Sequence, residues 1–306
     1  MTIRRRYTIG IDGGGTHCRG RMRDRSGNII AEETLGPANV HINRTSTLST
    51  IRGLIDLLIE KSNHRFINRS QISLGLGLAG VMTSGDKYRI SQEFLDFHSV
   101  FVESDAVTAC LGAHGSRDGG LVIVGTGSSA VARIDGRNIG IGGRGFLLGD
   151  DGSGARIGLE ALRQALLAAD GLREHTPLSR RLMANFANDP VAATRWSLTA
   201  KSNDYAAFAP SVFRSADRGD AVALPIVKEA AKSIDTLIQT LSKMGAKNIA
   251  LVGGIAAPLS PYLARKSAGH LVVPERDALE GAIMLANGSI SLAKSENFDC
   301  PDRGVT

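Results

Sequence analysis

Apolar and small residues alternate through Tyr7-Thr8-Ile9-Gly10-Ile11-Asp12, a period of two that predicts a short strand running straight into Gly13-Gly14-Gly15-Thr16. Arg19–Arg23 and Ile29–Glu33 repeat the strand pattern on either side of a Ser26-Gly27-Asn28 turn, which predicts an antiparallel meander. Residues 46–61 place apolar side chains at 48, 51, 54, 55, 58 and 59, a helical spacing. Strands are expected over 71–78 and 99–103, with a helix over about 86–97 between them. A short helix is expected after Asp105, then a glycine-rich linker over 112–120.

The pattern then restarts. Leu121-Val122-Ile123-Val124 is a buried-strand run that delivers a second glycine turn, Gly125-Thr126-Gly127-Ser128. Strands over 131–134 and 138–141 follow, joined by Asp135-Gly136. Helical periodicity takes over at 152–169, 178–187, 189–198, 203–216 and 220–243. A strand over 248–252 then meets Gly253-Gly254, and a last helix is expected over 275–286. Two halves that each open strand, glycine turn, strand pair imply an α/β protein of two similar domains around a central cleft. The expected boundaries are 1–116 plus about 287–306 for the first domain, and 117–286 with a helical insertion for the second.

Composition narrows the chemistry. The 306 residues are 42% hydrophobic and 22% charged, ordinary for a globular chain. The 36 glycines exceed the usual share of about 7% and suggest backbone approaching a ligand closely. The formal charge is +6, but Lys and Arg are dispersed apart from Arg4-Arg5-Arg6, and aromatics are only 5%. A nucleic-acid partner is therefore not expected, whereas a small anionic substrate suits the balance. Three cysteines without CxxC spacing argue against a disulfide framework or a zinc site. No HExxH, GxSxG or GxxxxGK[ST] occurs, which sets aside metalloprotease, serine-hydrolase and P-loop chemistry. With no signal-peptide pattern and no apolar run near 18 residues, a soluble cytoplasmic protein without membrane contact is expected.

Glycine turns let backbone N–H groups close on phosphate oxygens. Gly13, Gly14, Gly15 and Thr16, with Gly125, Thr126, Gly127 and Ser128, are accordingly candidates for clamping a polyphosphate; alone, either could be a plain hairpin turn. Gly253 and Gly254 could lie flat against a nucleoside. Asp12 at its strand end could hold Mg²⁺ through water. Asp105 could accept a hydroxyl proton during phosphoryl transfer or merely cap its helix. Gly142-Gly143-Arg144-Gly145 and Gly149-Asp150-Asp151-Gly152 form a polar island able to bind hydroxyls or an amine, or to cap the next helix. Asn39 reads as a loop polar residue.

Taken together, the segments Ile9–Thr16, Ser104-Asp105-Ala106, Gly125–Ser128 and Gly253-Gly254 resemble the phosphate-1, catalytic-aspartate, phosphate-2 and adenosine segments of the sugar kinase/actin/Hsp70 superfamily. More narrowly, the chain resembles the BadF/BadG/BcrA/BcrD ATPase family, in its glucosamine kinase and N-acetylglucosamine kinase branch.

The resemblance implies two ribonuclease-H-like (actin-like ATPase) domains, ATP and Mg²⁺ as cofactors, and phosphorylation of an amino sugar at its 6-hydroxyl. It makes Asp105 the catalytic base and gives the two glycine turns to phosphate, Gly253-Gly254 to the nucleoside and Asp12 to the metal. Asn39, Gly143, Arg144 and Asp150, with Asp105, fall where such kinases hold the sugar. The sugar loop departs from the N-acetylglucosamine kinase pattern: Arg144 stands in place of a Trp, and Asp151 in place of a Glu. Free glucosamine is therefore the expected substrate, with Asp151 or Glu103 as candidates to face its ammonium, N-acetylglucosamine the alternative and a radical-enzyme activator ATPase the less favoured one. A homodimer is usual among the relatives that the resemblance brings in.

Overall fold

The structure, a computed structural model, describes residues 7–62 and 67–288; Arg4–Arg6, Cys300 and the segment beyond 288 lie outside the described residues. In chain order the elements begin with β1 (Tyr7–Gly13), β2 (Cys18–Arg23), β3 (Ile29–Leu35), α1 (Arg44–Lys61), β4 (Ile72–Leu78), α2 (Ser84–Ser91), β5 (Ser99–Ser104) and α3 (Asp105–His114). They continue with β6 (Gly119–Val124), β7 (Ser128–Ile134), β8 (Arg137–Gly142), α4 (Gly154–Ala169), α5 (Pro177–Ala184), α6 (Pro190–Ser197), α7 (Ser202–Ala206), α8 (Ala209–Ala216) and α9 (Ala223–Met244). Last come β9 (Ile249–Val252), α10 (Ala256–Leu259), α11 (Arg265–Ala268), β10 (Leu271–Val272) and α12 (Ala278–Ala286).

The chain divides into two units. Among the described residues, unit 1 holds 7–62, 67–116, 134–138 and 277–288, and unit 2 holds 117–133 and 139–276. Unit 1 contains a five-stranded sheet ordered β3-β2-β1-β4-β5, in which β1 pairs antiparallel with β2 and parallel with β4. The second sheet, taken from its far edge, runs β8-β7-β6-β9-β10, with β6 antiparallel to β7 and parallel to β9. The two sheets therefore repeat one ribonuclease-H-like plan.

Residue alternation explains how unit 1 is layered. In β4, Ile72, Leu74, Leu76 and Leu78 share one face with Ile9 and Ile11 of β1, and α1 buries Ile51, Leu54, Ile55 and Leu58 in the same core. The opposite face carries Gly10, Gly75 and Gly77, and there α12 comes down onto the sheet. A Cβ on Gly75 would lie 2.1 Å from Ala282 O, and one on Gly10 2.7 Å from Ile283 N. Glycine is needed at both positions because helix backbone fills the space of a side chain. Arg21 and Arg23 on β2 fasten this helix by ion pairs to Asp277 (2.9 Å) and Glu280 (2.7 Å). Thus α12, expected to close the second domain, packs on β1 and α3 in the first.

Other expectations shift for local reasons. The helix expected over 86–97 ends at Ser91 and tightens into a 3₁₀ turn over Gln92–Phe94. The expected 203–216 helix is two helices, because Pro210 lacks an N–H and is accepted only in the first turn of α8. The glycines at 119 and 120 start β6 rather than a linker. In unit 2, Phe186, Trp196, Tyr205 and Phe208 form an aromatic cluster between the insertion helices and α4, with Trp196 and Tyr205 centroids 4.9 Å apart.

Candidate active site

In unit 1 the parallel register sets Gly13, Leu78 and Ser104 side by side across β1, β4 and β5. The residues that leave these strands therefore gather at one end of the sheet, within roughly 10 Å of each other at about 4.8 Å per strand. They are Asp12 with the Gly13–Thr16 turn, Ala79, and Asp105. Asn39 joins them through a bridge to Ala79. Carboxyl ends of parallel strands are where α/β proteins bind ligands, because the chain there turns away and leaves polar backbone uncovered.

The turn after β1 closes by Gly14 N donating to His17 O at 2.9 Å, and Gly14 O in turn accepts from Ala38 N at 2.9 Å. Gly13 must lack a side chain, since a Cβ would sit 2.7 Å from Leu78 Cδ2, whereas a Cβ on Gly15 would meet nothing within 4 Å. Gly15 and Thr16 are exposed, so their N–H groups and the Thr16 hydroxyl are open to an anion. Asn39 uses its Oδ1 on the N–H of His41 (3.0 Å) and Ile42 (3.3 Å), which leaves the amide NH₂ as the donor it can offer.

Asp105 begins α3, and its capping duty is taken by Ser104, whose Oγ accepts from Val107 N at 3.3 Å. The Asp105 carboxylate takes its neighbour's N–H, Ala106 at 2.9 Å, and more weakly its own. Burial pushes its pKa above the ordinary carboxylate range; the Ala106 N–H opposes this and the negative charge of Asp12 adds to it. A partly exposed carboxylate with raised basicity, relieved of structural work, is suited to accepting a proton.

Asp12 itself lies opposite Arg19 in the β1–β2 register, and Arg19 NH2 donates to Asp12 Oδ2 at 2.6 Å. This partner was missed from sequence, although both residues flank the same turn symmetrically. The pair leaves Oδ1 for another ligand. Among the described residues no three His, Cys, Asp or Glu side chains gather as a metal cage. Mg²⁺ does not require one, because it takes one or two carboxylates with phosphate oxygens and water.

In unit 2, β6 ends in the Gly125–Ser128 turn, closed by Gly125 N donating to Gly127 O at 2.9 Å. The first N–H groups of α4 hold this turn: Gly154 N donates to Gly125 O (2.8 Å) and Ala155 N to Thr126 O (3.2 Å). Ser128 Oγ donates to Asp151 O at 2.8 Å, and Gly143 N to Ser128 O at 3.1 Å. The structure therefore brings Gly143 and Asp150 to the turn, as one connected loop. Asp150 has a left-handed backbone (φ 58°) and its carboxylate accepts from the N–H of Ser128 and Gly145. Burial raises its pKa, and those two N–H donors pull it back. Phe146 anchors the loop from behind, its ring 5.2 Å from that of Tyr205, a contact not expected from sequence. Arg144 is exposed and makes no hydrogen bond or ion pair among the described residues.

Gly253, with φ 111°, passes so close to the end of β6 that a Cβ would lie 2.2 Å from Val124 O. Ile255 N donates to the same Val124 O at 3.2 Å. Gly254 is exposed with no atom within 4 Å of its would-be Cβ, so a flat group can lie against its backbone. Glu103 is different: its buried carboxylate takes Lys87 Nζ at 2.7 Å and is not free for an ammonium. Asp151 is exposed, with Arg156 at 3.4 Å.

This geometry now meets its relatives. The model of the BadF/BadG/BcrA/BcrD ATPase family matches residues 9–286. The chain belongs to that family. It is 36% identical to glucosamine kinase GspK of Vibrio cholerae over 92% of this chain and 95% of that protein. It is 28% identical to an N-acetylmuramic acid/N-acetylglucosamine kinase of Clostridium acetobutylicum, over 81% and 85% of the two chains. Among solved structures, a Chromobacterium violaceum protein provisionally named N-acetylglucosamine kinase superposes with a TM-score of 0.85 at 29% identity. The match covers 92% of this chain and 99% of that one.

Proposed function

We propose that this protein is an ATP-dependent amino-sugar kinase that phosphorylates D-glucosamine at its 6-hydroxyl, giving glucosamine 6-phosphate and ADP. The observation that carries this reading is Asp105: a carboxylate made more basic by burial, freed from capping by Ser104, beside a phosphate-sized glycine turn. In the reaction Asp105 takes the O6 proton as O6 attacks the γ-phosphorus. The new O–P bond forms while the bond from the γ-phosphorus to the β,γ-bridging oxygen breaks, and that electron pair leaves with ADP. Little covalent chemistry falls to the protein; its work is positioning and charge stabilisation.

The donors are Gly13, Gly14, Gly15 and Thr16 in unit 1 and Gly125, Thr126, Gly127 and Ser128 in unit 2, with Gly253 and Gly254 backing the nucleoside. Asn39 offers its NH₂ to a sugar oxygen, and Gly143, Arg144 and Asp150 supply the sugar loop. Asp12 would hold Mg²⁺ through its free oxygen and water, and the metal, when bound, supplies charge neutralisation at the phosphate oxygens. For a free ammonium at C2, Asp151 remains the candidate, because Glu103 is already paired with Lys87. We place the protein in the cytoplasm, acting as a homodimer.

N-acetylglucosamine is the second reading, supported by the names of several relatives. The activator-ATPase reading is weakened by the thiols. Cys18 and Cys110 are both buried, and Cys18 belongs to the hydrophobic core of unit 1, so neither thiol is presented at a surface where a cluster could be held.

The test is ADP release with MgATP and glucosamine, N-acetylglucosamine, glucose or no sugar in parallel. A strong preference for glucosamine is expected. Absence of sugar-dependent turnover would overturn the kinase reading.

A further inference from the structure

Unit 2 holds a cavity of about 430 Å³ between α4 and the first turns of α9, within the usual range of small-molecule sites. Its floor is apolar, formed by Ile157, Pro225 and Ile226, and its walls carry three guanidinium groups, Arg156, Arg163 and Arg173. The carboxylates beside them do not neutralise this charge evenly. Glu160 uses Oε2 on Arg163 NH1 (2.7 Å) and Oε1 on Gln164 Nε2 (2.7 Å), so both its oxygens are engaged. Glu229 also lines the cavity and is drawn towards Lys232, which lies outside the lining, at 3.6 Å. Arg156 reaches Asp151 only at 3.4 Å, and Arg173 makes no hydrogen bond or ion pair among the described residues. In contrast to these unspent donors, Gln164 Oε1 is buried in the lining without a hydrogen-bond partner. A buried acceptor left open costs free energy unless something fills it.

We propose that this cavity is a second ligand site, for a hydroxylated organic phosphate monoester. The phosphate oxygens meet the guanidinium forks, which suit tetrahedral, multiply charged oxyanions better than a point charge does. A ligand hydroxyl donates to Gln164 Oε1, and the carbon skeleton lies on Ile157, Pro225 and Ile226. The site also touches the glycine turn. Asp151 lines the cavity, and its carbonyl accepts the hydrogen bond from Ser128 Oγ at 2.8 Å. An anion that draws Arg156 away from Asp151 thus acts on the segment that holds Ser128. Hexose and hexosamine monophosphates share the required chemistry, and the product proposed above is one of them.

The test is calorimetric titration of the full chain with glucosamine 6-phosphate, glucose 6-phosphate and inorganic phosphate. Wild type is compared with Arg163→Gln/Arg173→Gln, whose side chains lie at the surface, and with Gln164→Leu. The difference between wild type and variant isolates the cavity, so the result stands whether or not the chain phosphorylates an amino sugar. At least one ester should bind wild type and lose about tenfold or more in affinity in the double variant. Gln164→Leu should weaken the ester and leave inorganic phosphate unchanged. Isotherms for both esters that coincide in wild type and the double variant would overturn the site. Inorganic phosphate binding as tightly as the esters would overturn recognition of the hydroxylated body.

Discussion

The Asp150 carboxylate occupies the space that a side chain at Gly127 would need: a Cβ there would lie 2.7 Å from Asp150 Oδ2. The turn and the sugar loop are thereby coupled by exclusion. Gly127→Ala is expected to cost about 1–3 kcal/mol, because Asp150 is tied to two N–H donors and cannot swing away freely. Asp150→Gly should destabilise by about 1–3 kcal/mol, since relief of the left-handed backbone roughly offsets the added chain freedom of glycine while the N–H groups of Ser128 and Gly145 lose their acceptor. Turnover should also fall sharply. Chemical denaturation of both single variants and the double gives the coupling, and additive effects would show that the two residues do not compete for this space.

Asp105 gives a pH signature. Its pKa is raised above the ordinary 3.8, first by burial and further by Asp12. The ionised form is the base, so turnover should fall as pH drops through that raised value, and the acid limb of kcat/KM should lie above 3.8. The stability sign is opposite. A carboxyl with raised folded pKa stabilises the protein below its unfolded pKa, and that contribution is lost as pH rises through the folded one. Asp105→Asn, which keeps an acceptor for Ala106 N, should therefore raise Tm at pH 7 while lowering kcat by about 10²–10⁴-fold. The Tm gain should vanish below the ordinary value. A variant with lower Tm at pH 7 and unchanged kcat would refute both roles.

Much of this was legible because period-two alternation and glycine turns are local signals. The strands ending in Asp12, Val124 and Val252 are examples, and the duplication followed from them. What escaped the sequence was long-range. Arg19 pairs with Asp12 across a register that only the folded hairpin sets. Lys87 on α2 claims Glu103 on β5. Phe146 finds Tyr205 across the aromatic cluster. β10, two residues long, carries too few positions for any periodicity. The docking of α12 depends on Gly10 and Gly75 admitting its backbone to the sheet and on Gly281 letting it approach Thr108 of α3, contacts that no single window of sequence reveals.

That docking can be tested by adding one methyl group. A Cβ on Gly281 would lie 1.8 Å from Thr108 O, a backbone atom that cannot rotate aside. Gly281→Ala should cost about 3 kcal/mol or more by forcing α12 from α3. Gly53→Ala, on α1 with its nearest contact 3.8 Å away at Leu35 Cδ1, should instead stabilise by about 0.4–1 kcal/mol. Equal effects of the two substitutions on the denaturation midpoint would contradict the close approach.

Arg144 offers the last test, on choice of sugar. It is exposed and makes no hydrogen bond or ion pair among the described residues, so replacing it should move stability by no more than about 0.5 kcal/mol. It stands in the loop that the Gly143–Ser128 hydrogen bond ties to the glycine turn, at the position where the sequence resemblance implies a Trp in N-acetylglucosamine kinases. A planar apolar ring there would give an acetyl methyl a surface to cover, whereas a guanidinium keeps the neighbourhood hydrated and repels an ammonium only weakly through water. Arg144→Trp should therefore raise kcat/KM for N-acetylglucosamine relative to glucosamine by about tenfold, within the range one small apolar contact can deliver. The change should fall mainly on KM, because the substituent at C2 is remote from the transferred phosphoryl group. Competing-substrate assays on wild type and variant measure the ratio directly, and an unchanged ratio would remove Arg144 from the sugar-reading residues.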